Sequence, residues 1–311
     1  MIIDDRHYDI IVIGSGAGGG TLAGALSRAG RHVLLLERGE AMPLSDQNVA
    51  DVDLLRKDRY HPKDEHWFGP DGDPIAPQTA YALGGNTKIW GAVLERMRER
   101  EFGEVQLQQG ISPAWPLDYS DLAPYYDKAE ALYHVHGKVG VDPTEPPRTK
   151  AFEHLPRPLT PFLEPLREGL KRQGCQPYDL PISWSDNQDD PSGDAQLYGI
   201  DNADTNNLQV RTHATVQRLH VNPSGREVKG VEADVDGESW LFSGDLVVLA
   251  AGAINTPAIL LRSSNERHSG GLANRSEQVG RNLMNLQLTS ILQKASEANS
   301  GRYARSLGIN D

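Results

Sequence analysis

Apolar and polar positions divide the chain into stretches of different texture. Asp9-Ile-Ile-Val-Ile13 is a short β-branched run ending at Gly14, the pattern of a strand buried on both faces in a parallel sheet. Residues 17–29 carry Ala, Leu and small residues at helical spacing and stop before Gly30. His32-Val-Leu-Leu-Leu36 reads as a second buried strand, closed by Glu37. A βαβ unit is therefore expected within the first 37 residues.

Beyond it the periodicity weakens. Residues 40–80 are polar and interrupted by Pro43, Pro62, Pro70, Pro74 and Pro77, which predicts loop with one helix near 48–57. Asp118 to Tyr133 is helical in pattern: Leu122, Tyr125, Tyr126, Ala129 and Leu132 recur at threes and fours, with Ser120 or Asp121 as cap. A proline-dense stretch over 140–165 excludes one regular element, and Phe162–Gln173 reads as a helix. From Leu208 to Val221 the pattern alternates, followed by the turn Asn222-Pro-Ser-Gly225, Val228–Val235, Asp236-Gly237 and a run from Ser239. That spacing predicts a β-meander. It leads into another buried strand at Asp245–Gly252, after which Thr256-Pro257 opens a helix with proline at its first position.

Composition narrows the function classes. Of the 311 residues 38% are hydrophobic and 24% charged, the balance of a globular protein with a real core. Lys and Arg total 31 against 43 Asp and Glu, a net charge of −12, which disfavours nonspecific nucleic-acid binding. A single cysteine, Cys175, leaves no internal disulfide framework and no cysteine-rich zinc site, and reads as a partly buried neutral thiol. The leader Met1–Tyr8 has two acids and runs straight into a strand, so no secretory or twin-arginine signal is expected. The longest apolar stretch, Leu246–Ile254, is nine residues, where a membrane span needs about 20. These features point to the cytoplasm.

The chemistry begins at Gly14-Ser-Gly16-Ala-Gly18-Gly19, which fits G-x-G-x-x-G between a strand and a helix. Gly14 lets the chain turn off the strand, Gly16 lets backbone approach a pyrophosphate, and Gly19 lets the helix pack close to the sheet. The helix N-terminus then offers N–H groups and a positive dipole end to phosphate. Glu37 follows Gly19 by 18 residues, at the end of the next strand, where a carboxylate accepts ribose hydroxyls and repels a 2′-phosphate. Arg38 belongs to the same candidate site. The turn alone does not separate FAD from NAD. The long insertion and the meander before the return strand resemble two-dinucleotide-binding-domain flavoproteins, and no second such turn follows a strand.

Further segments resemble the glucose–methanol–choline (GMC) oxidoreductases. Leu83-Gly-Gly-Asn-Thr-Lys-Ile-Trp-Gly-Ala92 is similar to the family's Gly-Gly loop, which passes along the flavin and pyrophosphate. The resemblance implies cofactor contacts from Gly84, Gly85, Trp90 and Gly91, with Asn86 or Thr87 hydrogen-bonding the flavin. Gly252-Ala-Ile-Asn-Thr-Pro-Ala-Ile-Leu-Leu-Arg-Ser-Ser264 is similar to the second family signature, with Asn265 where a closing Gly is usual. Gln278-Val-Gly-Arg-Asn-Leu-Met284 and Trp115-Pro-Leu-Asp-Tyr-Ser-Asp-Leu-Ala-Pro-Tyr-Tyr126 match two more family stretches. Together they run from residue 14 to 284 in family order. By the same resemblance Val216 lies on the strand whose backbone meets adenine, and Gly252 joins the cofactor set.

What the resemblance implies is an α/β fold: a Rossmann-like FAD-binding domain with a β-meander, plus part of an α+β substrate domain. The FAD-binding domain is expected over 1–45 and 205–290 with the flavin loop 81–97, a partial substrate or cap domain over 98–204, and the start of a truncated C-terminal part over 291–311. The implied activity is FAD-dependent oxidation of an alcohol, sugar or polyol CH–OH group, with hydride passing to flavin N5. Some relatives attach FAD through a His in the Gly-Gly loop; the matching residue here is Ile89, so the expected FAD is non-covalent. The family's proton acceptor is a His paired with a second His or Asn near the C-terminus. None of the ten histidines here sits in such a segment, so the catalytic pair is expected beyond Asp311 and the chain reads as an N-terminal fragment. An unpaired sheet edge or exposed apolar surface should mark the missing part. Two alternatives stand beside this reading, a non-catalytic flavin-binding or interaction protein and an NAD-linked dehydrogenase. The substrate, the electron acceptor and a small-subunit or cytochrome partner stay open.

Overall fold

In strand β1 (Ile2–Ile13) the last four residues, Ile10–Ile13, and in β2 all of Val33–Leu36 are buried on both faces. Ile11, Ile13, Leu34 and Leu36 join one hydrophobic cluster, while Ile10, Val12, Val33 and Leu35 join another on the opposite side. The alternation is the two-residue period of a pleated strand, with a helix covering each side. In this computed structural model residues 1–42, 65–69, 71–75, 79–107, 110–185, 193–283 and 307–310 are described. The expected helix near 48–57 lies outside them.

The main sheet has six strands in the order β3-β2-β1-β6-β5-β4, with β3 (Leu208–Arg211), β4 (Ala214–Val221), β5 (Val228–Val235) and β6 (Glu238–Leu249). β3, β2, β1 and β6 run parallel; β6, β5 and β4 are antiparallel. One expectation is corrected here. The alternating stretch 208–221 is not one meander strand: it breaks at Thr212–His213, so β3 pairs with β2 and only β4 enters the meander. His213 takes φ 51, and its N–H bonds the carbonyl of Gly39 at 3.2 Å, so a long-range contact sets the corner. Past Phe242, β6 pairs only with β1 among the described residues, and Leu246 on that stretch is 56% exposed.

Helix α1 (Ala17–Arg28) covers one side through Ala23, and α2 (Gly252–Arg262) the other through Ile259. α2 starts earlier than the Thr256-Pro257 signal predicts, and Pro257 lies inside it. Gly252 at φ 80 turns the chain off the strand, so the helix begins there.

The chain forms two compact units, Met1–Ile89 with Asp194–Ser290 and Trp90–Gly193 with Ile291–Asp311. The first unit holds the six-stranded sheet. The second holds the helices Tyr119–Leu132 and Glu164–Arg172 and short two-stranded pieces, including Tyr178–Asp179 paired with Leu307–Gly308. The cap of the longer helix is Asp118 rather than Ser120 or Asp121: its carboxylate accepts from the amides of Ser120 and Asp121, and Asp121 bonds back to the Asp118 amide. Arg96, 3% exposed, pairs with Asp127 and Glu130 at 2.7 and 2.6 Å, and Arg148 also reaches Glu130 at 2.8 Å.

Candidate functional site

The site grows from the carboxyl ends of β1, β2 and β6, where an open parallel sheet places its ligands. Gly14 has φ 97, and a Cβ there would stand 2.5 Å from the carbonyl of Ala250. The turn from β1 into α1 is thus pressed against the turn from β6 into α2. A Cβ at Gly19 would lie 1.8 Å from the Gly14 carbonyl, so α1 closes directly on its own turn. At Gly16 nothing lies within 4 Å of where a Cβ would be, and no side chain caps α1. The leading end of that helix therefore faces open space that a side chain would fill. Gly252, at the head of α2, likewise has no neighbour within 4 Å of a Cβ.

Glu37 ends β2 and is 6% exposed. Its carboxylate accepts from the Ser15 amide at 2.9 Å, the Ser15 hydroxyl at 2.5 Å and the Gly39 amide at 2.9 Å. Burial pushes its pKa up, and the hydrogen bonds from Gly39, Ser15 and Arg38 offset only part of that. Its backbone holds the β3–β4 corner: the Glu37 amide donates to Arg211, and the Ala214 amide donates to Glu37. Val216 follows on β4 with its side chain in the core, and its carbonyl accepts from Arg262 at 3.4 Å.

Arg38 turns to other partners. Its guanidinium lies 4.1 Å from the Tyr81 ring centroid and pairs with Glu65 at 2.7 Å. Tyr81 donates to Glu65 at 2.9 Å and accepts from Asn255 of α2 at 3.3 Å. Burial would raise the Glu65 carboxyl, but the hydrogen bonds of Trp67 and Tyr81 and the charge of Arg38 prevail and hold it low.

The Gly-Gly loop is fastened to the same turn. Gly84 and Gly85 take φ 96 and 57 and lead into a tight turn over Gly85–Lys88. The Gly84 amide donates to the Ser15 hydroxyl at 2.9 Å, and a Cβ on Gly85 would stand 3.0 Å from Gly16. Thr87 is buried; its hydroxyl donates to Gly84 and accepts from the Ala195 amide at 3.0 Å. Asn86 is the exposed member of the pair, its Oδ1 accepting from the Ala80 amide at 2.7 Å. Lys88 meets Asp194 at 2.9 Å, with their side chains 3% and 8% exposed, and Asp194 also caps the amides of Gln196 and Leu197. Trp90 and Gly91 fall in the second unit, where the Trp90 indole donates to Gly193 at 3.2 Å and meets the Tyr133 ring edge-on.

Ser15, Lys88, Tyr81, Asp194 and Asn255 escape a reading by motif. Only Lys88, the one charged residue in the 83–92 loop, carries a local signal. Among the described histidines, six have their rings engaged elsewhere: His7 with Asp245, His220 with Glu232, His268 with the Gly225 carbonyl, and His134, His136 and His154 in a ring cluster of the second unit.

Comparison with known proteins adds to this geometry. The family model described as GMC oxidoreductase matches residues 8–287. The chain is 28% identical to 2-methyl-1,2-propanediol dehydrogenase of Mycolicibacterium austroafricanum, over 91% of this chain and 56% of that protein. It is 30% identical to paromamine 6′-oxidase of Streptomyces fradiae, over 90% of this chain and 54% of that one. Among solved structures, an FAD-dependent oxidoreductase from Chaetomium thermophilum superposes with a TM-score of 0.61 at 18% identity, covering 83% of this chain and 48% of the other. The chain thus spans about half the length of the curated relatives it matches.

Proposed function

The chain belongs to the GMC oxidoreductase family, and from that premise we propose that it is the flavin-binding part of an FAD-dependent enzyme oxidising a CH–OH group. The observation that carries this reading is the open space at Gly16 before an uncapped helix, with the Gly84–Gly85 loop fastened beside it through Ser15. A pyrophosphate fits there: backbone reaches it without a Cβ in the way, and the helix dipole favours its charge. Glu37 supports the adenosine side. Its buried carboxylate takes neutral donors, which suits ribose hydroxyls and opposes a 2′-phosphate. When bound, the flavin would supply the redox chemistry by accepting a hydride from the substrate carbon.

The chain's own part is to hold and orient. The leading amides of α1 bind the pyrophosphate, Glu37 fixes the ribose, and the Gly84–Gly85 backbone with exposed Asn86 lines the approach of the flavin. In this reading residues 1–45, 81–97 and 205–290 make the cofactor domain and 98–204 serve the substrate side. Ile89, where some relatives carry a linking His, leaves FAD non-covalent. None of the ten histidines lies on the phosphate turn, the Gly-Gly loop or the turn into α2. The proton acceptor is therefore assigned to a part of the enzyme outside the half shared with the relatives.

One relative named as a diol dehydrogenase supports the substrate class. A small alcohol or sugar is the proposed donor, and the other relative, named as an oxidase, leaves the acceptor side open. The experiment is a titration of the purified chain with FAD, followed by flavin fluorescence, with NAD as competitor. Saturable FAD binding, and flavin that leaves the protein on acid precipitation, are expected. Preference for NAD would overturn the reading.

A further inference from the structure

Ser15 occupies a position that no motif assigns. It is fully buried, at 0% exposure. A hydroxyl offers one hydrogen and two lone pairs, and here both kinds are used. The hydrogen goes to Glu37 at 2.5 Å, and a lone pair accepts the Gly84 amide at 2.9 Å; the Ala82 carbonyl lies at 3.5 Å. The Ser15 amide also donates to Glu37, at 2.9 Å. One small side chain thus bridges the phosphate turn, the end of β2 and the Gly-Gly loop, segments 22 and 69 residues away in sequence.

The charged neighbours do not replace it. Arg38 faces Glu65 and Tyr81, Lys88 faces Asp194, Arg211 lies over the Trp240 ring, and Glu40 and His213 sit on adjoining turns. The Glu37 carboxylate is held instead by backbone amides and by the Ser15 hydroxyl.

We propose that Ser15 is a positioning residue that locks the Gly84–Gly85 loop to the Glu37 carboxylate, so that the adenosine and flavin ends of one FAD molecule enter a single preformed site. This rests on the FAD reading above. Without the hydroxyl, the loop must be ordered at the moment of binding, and that cost falls on a ligand reaching both segments. ADP reaches only the phosphate turn and Glu37.

The test compares dissociation constants for FAD and ADP in the chain and in Ser15→Ala, at a temperature where circular dichroism shows both folded. FAD affinity is expected to fall about 10- to 100-fold, as for loss of a buried charge-assisted hydrogen bond, and ADP affinity by a clearly smaller factor. A purely structural role lowers melting temperature without moving the FAD-to-ADP preference. Equal losses for both ligands, or an unchanged FAD constant, overturn the proposal alone. An unsubstituted chain that binds FAD no better than ADP defeats the FAD reading itself, and this proposal with it. Ser15→Cys keeps the volume with a weak donor and serves if Ser15→Ala does not fold. It should lose the same preference, and a Cys variant matching the original chain overturns the lock.

Discussion

The buried pair of Lys88 and Asp194 gives a quantitative test of how the Gly-Gly loop is held. Replacing Lys88 with Met keeps most of the side-chain volume and removes the charge. Asp194 would then stay 8% exposed with its cation gone. Breaking a buried ion pair on one side costs about 3–5 kcal/mol. The amides of Gln196 and Leu197, at 2.8 and 3.0 Å, still solvate one carboxylate oxygen, which sets the expectation near the low end, about 3 kcal/mol. Asp201 reinforces the direction. Burial raises its pKa, Lys88 pulls it back and Asp194 adds to the rise, so losing the lysine leaves two acids facing each other. Against a typical stability of about 5–15 kcal/mol the loss is large, and corresponds to roughly 6–12 °C in Tm. Urea unfolding followed by far-UV circular dichroism measures it, with Lys88→Met/Asp194→Asn as the partner variant. The double variant should recover a substantial part of the loss because no uncompensated charge remains. A single-variant loss below about 1 kcal/mol, or strict additivity of the two substitutions, would refute the reasoning.

Three further outcomes follow from the geometry. Gly16→Ala should leave stability unchanged or raise it by up to about 1 kcal/mol, because its Cβ meets nothing, yet weaken FAD binding at least tenfold by blocking the pyrophosphate. Gly19→Ala, whose Cβ would fall 1.8 Å from the Gly14 carbonyl, should lower Tm sharply instead; equal behaviour of the two variants in thermal melts would count against the turn geometry. In the second unit, burial tends to raise Asp142, but hydrogen bonds from Thr144 and Asn310 and the Arg98 charge outweigh it and hold its pKa below 3.8. A depressed folded pKa means stability present above 3.8 and lost as pH falls through the folded value, so the advantage of the original chain over Asp142→Asn should shrink in that window. Acid titration by near-ultraviolet circular dichroism measures that difference, and a pH-independent gap would contradict it.

The central strands were legible because their information is local. Ile10 to Ile13 and Val33 to Leu36 are apolar at every position, which only two-sided burial explains. The break between β3 and β4 was not legible, since Leu208 to Val221 alternates without a turn signal. Its corner depends on Gly39 and Glu37, more than 170 residues earlier in the chain. The head of α2 misled for a different reason: Thr-Pro is a strong helix-start signal, but the chain turns sooner, at Gly252. In the site, the glycines and Glu37 announce themselves by spacing because each answers a backbone requirement. Ser15 and Asp194 act through partners 69 and 106 residues distant, and a serine or aspartate in sequence looks the same with or without them. Asn86 and Thr87 read alike in the motif; only burial separates the exposed amide from the enclosed hydroxyl.

FAD binding is the central event, and titration of the purified chain measures it most directly. Flavin fluorescence should be quenched saturably as FAD is added, one flavin per chain, with NAD and NADP unable to compete and with Gly16→Ala weakening the curve. A chain that leaves FAD fluorescence unquenched, or that releases its flavin to NAD, would contradict the assignment of the Gly14–Gly19 turn and the Gly84–Gly85 loop to a flavin site.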